Sequence, residues 1–173
     1  MTAWVRQFDA AIDRRLEPWR RSRPASTVFY AASIAGEFSA LWQVINVVLA
    51  IAGAHTWRWA GFFAACIAAE SLLVNQGVKR LFRRRRPAPL ESPAHRLRTP
   101  RTSSFPSGHA SAATVAAVLL IAEHRAWWPA WVALSATVAI SRPFVRVHYA
   151  SDILGGVAVG LVLGALFLAL PLP

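Results

Sequence analysis

Three groups of polar residues interrupt an otherwise apolar chain, and their side chains are of the kinds that bind and transfer phosphate. In chain order the groups are Lys79-x6-Arg86-Pro87, Pro106-Ser107-Gly108-His109 and Ser141-Arg142-x5-His148-x3-Asp152. A phosphoryl group in transfer carries negative charge on its oxygens, so catalysis consists mostly of positioning it and stabilising that charge. Together the three groups predict a site for a phosphate ester.

The first expected component of the site is a cluster of three cations, Lys79, Arg86 and Arg142. Arginine binds a phosphate through two parallel hydrogen bonds, whereas lysine acts as a compact point charge. Lys79 is the sole lysine among 19 basic residues, which indicates a position that requires an ammonium group. For three neighbouring arginines we favour side chains that extend to the membrane interface and take no part in the site. These arginines are Arg83, Arg84 and Arg85.

Ser107, Gly108 and His109 precede an Ala-rich apolar segment and predict the beginning of a helix. Serine is a preferred N-cap residue, and glycine allows the backbone to approach a ligand closely. Free N–H groups and the positive end of the helix dipole favour an anion at such a helix start. We therefore expect phosphate to bind here, with His109 beside it in the first turn.

His148 and Asp152 are four residues apart, a spacing that places two side chains on the same face of a helix. A carboxylate that accepts a hydrogen bond from one ring nitrogen fixes the tautomer and leaves the other nitrogen free to attack. The pair therefore predicts an oriented histidine nucleophile. A His–Asp pair can also bind a metal ion, but three nearby cations would repel one. We predict no metal and no other cofactor.

The elements that must position these residues are membrane helices. The chain has 173 residues, 55% of them apolar and collected in long stretches, and its mean hydropathy is +0.39. A bilayer core requires about 20 consecutive apolar residues. We predict an all-α integral membrane bundle with about five spans, forming a single domain over 1–173. The predicted spans are 27–53, 57–78, 107–124, 127–143 and 149–170, with an active-site loop at 79–106.

An amphipathic and basic segment, 1–26, precedes this bundle, which covers 27–173. Trp4, Phe8, Ile12 and Leu16 recur every four residues, as on one face of a helix. We predict a helix on the membrane surface, and packing of the same helix against the bundle is an equally open alternative.

Two carboxylates, Glu37 and Glu70, fall inside predicted spans. A charged carboxylate in the bilayer centre costs about 2.5–3.5 kcal/mol on insertion scales. We therefore expect both side chains to face the bundle. Glu70, nine residues before Lys79, lies either beside the site or between packed helices.

Five crossings would bring all three polar groups to one membrane face. That face carries 17 of the basic residues and the other face carries two, Arg58 and Arg125. The positive-inside rule places the more basic face in the cytoplasm. A net charge of +11 could also indicate nucleic-acid binding, but the arginines flank apolar spans without a nucleic-acid motif. We predict membrane lipids and a lipid-linked phosphate as partners, and no nucleic acid.

The order and spacing of the three groups resemble the type 2 phosphatidic acid phosphatase (PAP2) family, which shares its site with vanadium haloperoxidases. The family pattern is KxxxxxxRP, PSGH and SRxxxxxHxxxD, and the sequence matches all three between residues 79 and 152. The resemblance implies that His148 attacks phosphorus and forms a phosphohistidine, oriented by Asp152. It implies that His109 protonates the leaving oxygen and then activates water, without a metal. The residues implied to hold the phosphate are Lys79, Arg86, Ser107, the Gly108 amide and Arg142.

The residues and the resemblance together predict a membrane-embedded phosphatase of a lipid-linked phosphate. Small relatives that act on decaprenylphosphoryl-5-phosphoribose are similar in size and in their Arg-rich, Lys-poor composition, and we favour that substrate class. A cytoplasmic site argues against recycling of an outward-facing polyprenyl diphosphate. Phosphatidylglycerophosphate, phosphatidate and polyprenyl diphosphates remain alternatives, as does phosphoryl transfer to an acceptor other than water. A non-enzymatic scaffold for anionic lipid would not require His109, His148 and Asp152 at these spacings. The sequence does not indicate an oligomeric state.

Overall fold

The computed structural model describes residues 2–88 and 102–171, and within those ranges the chain forms helices and no strands. The α-helices in the described residues are α1 Ala3–Arg20, α2 Arg23–Ala35, α3 Ala40–Ile51, α4 Trp57–Leu72, α5 Gly108–Glu123, α6 Trp128–Phe144 and α7 Ala150–Leu168. The predicted all-α architecture is confirmed. The last three predicted spans agree with α5, α6 and α7 to within two residues at each end.

Helix α5 forms the centre of the bundle. Every residue from Ala110 to Ala117 is buried, and α5 packs against α4, α6 and α7. Farther along the helix, Leu119 and Leu120 join a core with Trp42 of α3 and Phe63 of α4. Because neighbours surround α5, its first turn is fixed near the middle of one end of the bundle.

Helices α5 and α7 pack closely because α7 presents a glycine at every fourth position of their interface. A Cβ at Gly156 would lie 2.5 Å from the carbonyl oxygen of Ser107, and one at Gly160 would lie 2.6 Å from that of Ser111. Small residues at this spacing are typical of helix pairs in membranes. The contact holds the first turn of α7, which carries Asp152, against the first turn of α5.

The predicted span 27–53 is not one continuous helix. It consists of α2 and α3, which meet at a 66° bend. Phe38 and Ser39 have φ angles of 52° and 58° at this bend, a left-handed conformation that non-glycine residues seldom adopt and that interrupts a helix. A Cβ at Gly36 would lie 3.0 Å from Cδ2 of His109. The interruption therefore brings the α2–α3 junction to the first turn of α5.

The second predicted span, 57–78, changes its helical type before it ends. After α4 the chain forms a π-helical turn over Leu73–Gly77 and a 3-10 turn over Val78–Leu81. Single π turns within α-helices are frequent at functional sites. The predicted loop 79–106 thus begins at residue 82, and residues 89–101 within it lie outside the described ranges.

Helix α1 packs against the bundle, which is the alternative that the sequence left open. It contacts α2, α6 and α7. Asp13 accepts hydrogen bonds from Arg20 at 2.6 Å and from Arg146 at 2.7 Å, and Arg20 also donates to the carbonyl of Phe144 at 2.8 Å. Trp4 remains 71% exposed. The ion pair of Asp13 with Arg146 and the hydrogen bond from Arg20 to Phe144 therefore hold α1 on the bundle, while part of its apolar face stays available to a membrane surface.

Among the described residues, two helical segments are long and apolar enough to cross a membrane. They are Trp57–Leu81, with 25 residues, and Ala150–Leu168, with 19. The bent pair of α2 and α3 adds a third if it forms one span. Helices α5 and α6 have 16 and 17 residues, fewer than the about 20 that a bilayer core requires. The chain is a membrane protein, and five crossings stay a prediction.

Candidate active site

A cavity of about 640 Å³ lies at the end of the bundle where the three polar groups meet. It is bordered by the end of α4, the start of α5, the end of α6, the turn before α7 and the α2–α3 junction. The predicted site residues in its wall are Lys79, Arg86, Gly108, His109, Arg142 and His148. Ser107 and Asp152 lie directly behind this wall and are fully buried. The structure thus brings all the predicted site residues together.

Two of the cations in the cavity wall are almost completely buried. Lys79 is 7% exposed and its Nζ donates to Oδ1 of Asn75 at 2.8 Å. Arg142 is 1% exposed and its guanidinium donates to the hydroxyl of Ser33. In the described part of the chain the Nε of Arg142 has no hydrogen-bond partner. Since buried charge is costly unless it is paired, this part of the cavity favours an anionic ligand.

The start of α5 forms a second side of the anion site. Ser107 is the N-cap, and its Oγ accepts a hydrogen bond from the backbone of Ala110 at 3.4 Å. A Cβ at Gly108 would lie 3.4 Å from Nζ of Lys79, so the helix start and the ammonium group are adjacent. His109 lines the same cavity, and its buried Nε2 has no partner among the described residues. This ring nitrogen is in a position to exchange a proton with a ligand.

His148 and Asp152 pair as the spacing predicts, although they do not share a helical face. Helix α7 begins at Ala150, so His148 lies in the turn before it. The Asp152 carboxylate folds back over the helix start, where Oδ2 accepts from the backbone of Tyr149 at 2.8 Å and lies 3.5 Å from Nδ1 of His148. The capping function of an acidic residue at the N3 position therefore brings the carboxylate to the histidine.

The His148 ring is oriented with one nitrogen toward the cavity cations. Its Nε2 lies 3.0 Å from NH1 of Arg86, and because arginine can only donate, Nε2 carries the lone pair and Nδ1 carries the proton. Burial lowers the pKa of His148 to about 4, so the ring is neutral at pH 7. A neutral imidazole with a lone pair beside a cation is suited to attack an electrophile bound there.

Arg84 belongs to the site, and the predicted interfacial position is wrong for it. Its NH1 lies 2.5 Å from Oδ1 of Asp152 and its NH2 lies 2.5 Å from Oδ2 of Asp9. The neighbouring Arg83 and Arg85 are exposed, as expected. In the sequence, only the presence of an acidic residue, Asp9, within a basic segment hints at this contact. The position of Asp9 does not specify which arginine is its partner.

Ser104 is a second site residue that the sequence did not indicate. Its Oγ donates to Oδ2 of Asp152 at 2.5 Å and lies 3.5 Å from Nδ1 of His148. Ser104 is fully buried. It precedes the second polar group within the loop, and no spacing pattern distinguishes it from Ser103.

The cavity wall also carries hydroxyl, amide and carboxylate groups. They belong to Glu37, Ser39, Glu70, Ser71, Asn75 and Gln76. Glu70 is 1% exposed, and within the described residues its Oε1 has no hydrogen-bond partner. Both carboxylates line the cavity, where they can accept hydrogen bonds from a ligand that carries hydroxyl groups.

No group of three His, Cys, Asp or Glu side chains within residues 2–88 and 102–171 is placed to bind a metal ion. Metal-independent chemistry stays a prediction.

A helical membrane bundle with a histidine–aspartate pair beside three cations defines a membrane protein that binds a phosphate group. Comparison with known protein families identifies the family of this protein, because a model of the PAP2 superfamily matches residues 59–172. The chain belongs to the PAP2 superfamily. The match contains all the predicted site residues and does not include α1, α2 or α3.

Individual relatives agree with this assignment. A decaprenylphosphoryl-5-phosphoribose phosphatase of Mycobacterium tuberculosis is 37% identical over 134 residues, which cover 76% of this chain and 72% of the relative. The protein of the same name from Mycolicibacterium smegmatis is 38% identical over 127 residues, covering 73% and 68%. A crystal structure of a PAP2 type phosphatidylglycerolphosphate phosphatase from Bacillus subtilis has a TM-score of 0.73 and 26% identity, covering 96% of this chain and 85% of that chain.

Proposed function

We propose that this protein is a membrane-embedded phosphatase that hydrolyses a lipid-linked phosphate through a phosphohistidine intermediate. The observation that carries the proposal is the lone pair of His148 Nε2 at the wall of a cavity that is also lined by Lys79, Arg86 and Arg142. Membership of the PAP2 superfamily and the names of the relatives support the same reaction class.

The reaction has two steps. In the first, Nε2 of His148 attacks the phosphorus of the terminal phosphate monoester, the bond from that phosphorus to its ester oxygen on the lipid-linked substrate breaks, and His109 gives a proton to that oxygen. In the second, His109 accepts a proton from water, the water oxygen attacks phosphorus, and the P–N bond breaks to release inorganic phosphate. Asp152 stabilises the positive ring between the steps. The groups that stabilise the phosphoryl oxygens are Lys79, Arg86, Ser107, the Gly108 amide and Arg142.

Within this class the substrate we propose is decaprenylphosphoryl-5-phosphoribose. Two relatives of this name are 37% and 38% identical to the chain. The unpaired acceptor of Glu70 and the polar groups beside it can bind the hydroxyl groups of a pentose. The phosphatidate headgroup lacks such hydroxyl groups and would leave a buried acceptor unsatisfied, which is costly.

Phosphate release from purified protein in detergent micelles tests the function. The panel contains decaprenylphosphoryl-5-phosphoribose, phosphatidylglycerophosphate, phosphatidate and a polyprenyl diphosphate. We expect the highest kcat/KM with the first, and background release by His148→Ala with unchanged thermal unfolding. No release from any substrate, or equal release by the variant, would refute the reaction. A higher kcat/KM with another lipid would refute the substrate alone.

A second experiment tests the hydroxyl contact of Glu70. Ribose 5-phosphate and n-pentyl phosphate are soluble phosphate monoesters with and without hydroxyl groups. We expect Glu70→Leu, which removes both acceptor oxygens, to raise KM for ribose 5-phosphate about tenfold, the loss of one hydrogen bond to a charged group. KM for pentyl phosphate should not change. Equal effects on both esters would show that Glu70 does not contact the sugar.

We also propose that the cavity opens toward the cytoplasm. The cavity end of the bundle carries most of the basic residues, and the opposite end carries Arg58 and Arg125. This asymmetry supports the orientation through the positive-inside rule.

A further inference from the structure

Both oxygens of the Asp152 carboxylate are engaged, and by different partners. Oδ2 faces His148 and accepts from the Ser104 hydroxyl at 2.5 Å and from the Tyr149 backbone at 2.8 Å. Oδ1 accepts from NH1 of Arg84 at 2.5 Å. The oxygen that does not face the histidine is therefore held by a cation.

Arg84 is held in turn by α1 and by the start of α7. Its NH2 donates to Oδ2 of Asp9 at 2.5 Å, and its NH1 donates to the Ser151 hydroxyl at 2.8 Å. The guanidinium carbon lies 4.2 Å from the centre of the Tyr149 ring. A planar guanidinium can bridge two carboxylates in one fixed orientation, which an ammonium group cannot.

Asp9 is anchored to α7 as well as to Arg84. Its Oδ1 accepts from the backbone of Ser151 at 2.8 Å and its Oδ2 accepts from the Ser151 hydroxyl at 2.9 Å. The backbone donor is one of the free N–H groups in the first turn of α7, where a negative charge is stabilising. Asp9 is 5% exposed. A residue of α1 is thus part of a buried chain of charges that ends at the nucleophile pair.

We propose that Asp9 and Arg84 are positioning residues that act on the reaction through Asp152, so that the N-terminal helix is part of the active site. Asp9 balances part of the charge of Arg84, which leaves Asp152 with more negative charge directed to His148. If Asp9 were neutral, Arg84 would act on Asp152 alone, and the carboxylate would stabilise the positive phosphohistidine ring less. Asp9 lies outside residues 59–172, which the family model matches.

The proposal rests on the proposed phosphatase reaction, and its first test is the effect of Asp9→Asn on hydrolysis. We expect kcat to fall about 10- to 100-fold, the usual effect of losing a group that orients a catalytic residue. KM should change less than twofold, because neither residue contacts the phosphate. Arg84→Gln should have the larger effect, because Asp152 loses the hydrogen bond that orients its carboxylate, and this loss outweighs the gain from removing a positive charge. Arg84→Lys should keep only part of the wild-type rate, because an ammonium group cannot bridge both carboxylates in one fixed orientation.

Two variants separate this role from a general requirement for folding. Asp13→Asn removes the ion pairs of Asp13 with Arg20 and Arg146, of which the second joins α1 to the turn after α6, and does not touch Asp152. Arg83→Gln removes a neighbouring exposed arginine. We expect both variants to keep kcat within twofold of wild type. If Asp13→Asn lowers kcat as much as Asp9→Asn, α1 acts by docking alone and the proposal is wrong.

A double substitution tests whether the effect passes through Asp152. The Asp152→Asn variant should retain a small residual kcat. Adding Asp9→Asn to this variant should not lower that kcat further, because the carboxylate through which Asp9 acts is absent. Independent, multiplicative losses would overturn the proposal. If wild type is active and Asp9→Asn has normal kcat, the proposal fails while the proposed function stands.

If wild type releases no phosphate, the proposed function fails and the positioning role is decided by titration of His148. Arg84→Gln removes the cation that is hydrogen-bonded to Asp152, whose other oxygen lies 3.5 Å from Nδ1 of His148, and should raise the pKa of His148. An unchanged pKa would show that the charge of Arg84 does not reach the histidine.

Discussion

At the scale of single residues, the environment of His148 determines its chemistry. A histidine in water is half protonated near pH 6.5, and a protonated ring cannot attack through Nε2. Burial lowers the pKa of His148 to about 4, so the ring stays neutral at physiological pH. Because this pKa lies below the unfolded value, the neutral ring contributes stability above about pH 6.5 that is lost as the pH falls toward 4.

We predict that His148 titrates near pH 4 in the folded protein. The measurement is a pH titration of ¹⁵N-histidine NMR signals in detergent micelles. The His148 signal is identified by its absence in His148→Gln. An inflection near pH 6.5 would show that the ring is not shielded from water as the structure indicates.

A second prediction concerns the proton donor. His109→Gln should lower phosphate release by about 10²–10⁴-fold, the usual contribution of general acid–base catalysis. With an activated ester whose leaving group needs no proton, such as p-nitrophenyl phosphate, the first step should proceed and phosphohistidine should accumulate. Acid-labile ³²P on the protein measures it. His148→Ala serves as the unlabelled control. If His109→Gln hydrolyses the lipid substrate at the wild-type rate, His109 is not the general acid and base.

At the scale of elements, the site depends on the packing of α5 against α7. Gly156 and Gly160 bring the two backbones so close that the first turns of both helices form one surface. Ser107 also donates its backbone N–H to the carbonyl of Asp152 at 3.0 Å. The start of α5, with Ser107 and His109, and the His148–Asp152 pair at the start of α7 are therefore fixed relative to each other by helix packing.

We predict that Gly160→Ala destabilises the protein by about 1–3 kcal/mol, a typical effect of overpacking. The added Cβ would lie 2.6 Å from a backbone oxygen of α5, which cannot move without displacing the helix. The measurement is Tm in detergent together with kcat, and both should fall.

The matched control for this prediction is Gly61→Ala in α4, where a Cβ meets nothing within 4 Å. Alanine has the higher helix propensity, so this variant should be neutral or stabilised by about 0.5–1 kcal/mol. Equal Tm changes for the two variants would mean that the α5–α7 contact is looser than the structure describes.

At the scale of the whole molecule, the distribution of charge is uneven. Basic side chains and the cavity share one end of the bundle, and two of those side chains, Arg84 and Arg146, form ion pairs that attach α1. Such an end suits contact with anionic lipid headgroups. It also suits a substrate whose chain lies in the bilayer while its phosphate reaches the cavity.

We predict that this end of the bundle faces the cytoplasm. The test uses single cysteines at Ala54 and Ala88 in a Cys66→Ala background. These two positions lie before and after the apolar helical segment Trp57–Leu81, and both are exposed. In intact cells an impermeant maleimide should label the Ala54→Cys protein, whereas the Ala88→Cys protein should react after permeabilisation only. The reverse pattern would place the site outside.

Much of the site was predictable because its information is local in the chain. The spacings within the three polar groups identified the cations, the helix start and the histidine pair, and hydropathy located α5, α6 and α7 within two residues. Local sequence did not predict the bend in the first span, since Phe38 and Ser39 are ordinary residues in an unusual conformation. The bend lies where the neighbouring Gly36 packs against His109 of α5 and Val138 of α6. A local pattern does not describe such contacts between segments that are far apart in the chain.

The sequence by itself thus predicted the chemistry proposed for this protein, namely which residue types would form a phosphate site. It also determined that apolar helices carry these residues. Tertiary structure alone decided which of three adjacent arginines joins the site. Arg83, Arg84 and Arg85 are equivalent as a pattern, and only Arg84 lies within reach of Asp152 and Asp9, which are 68 and 75 residues away in the chain. A buried charge is stable only where partners surround it, and the partners of Arg84 come together only when α1 and α7 pack.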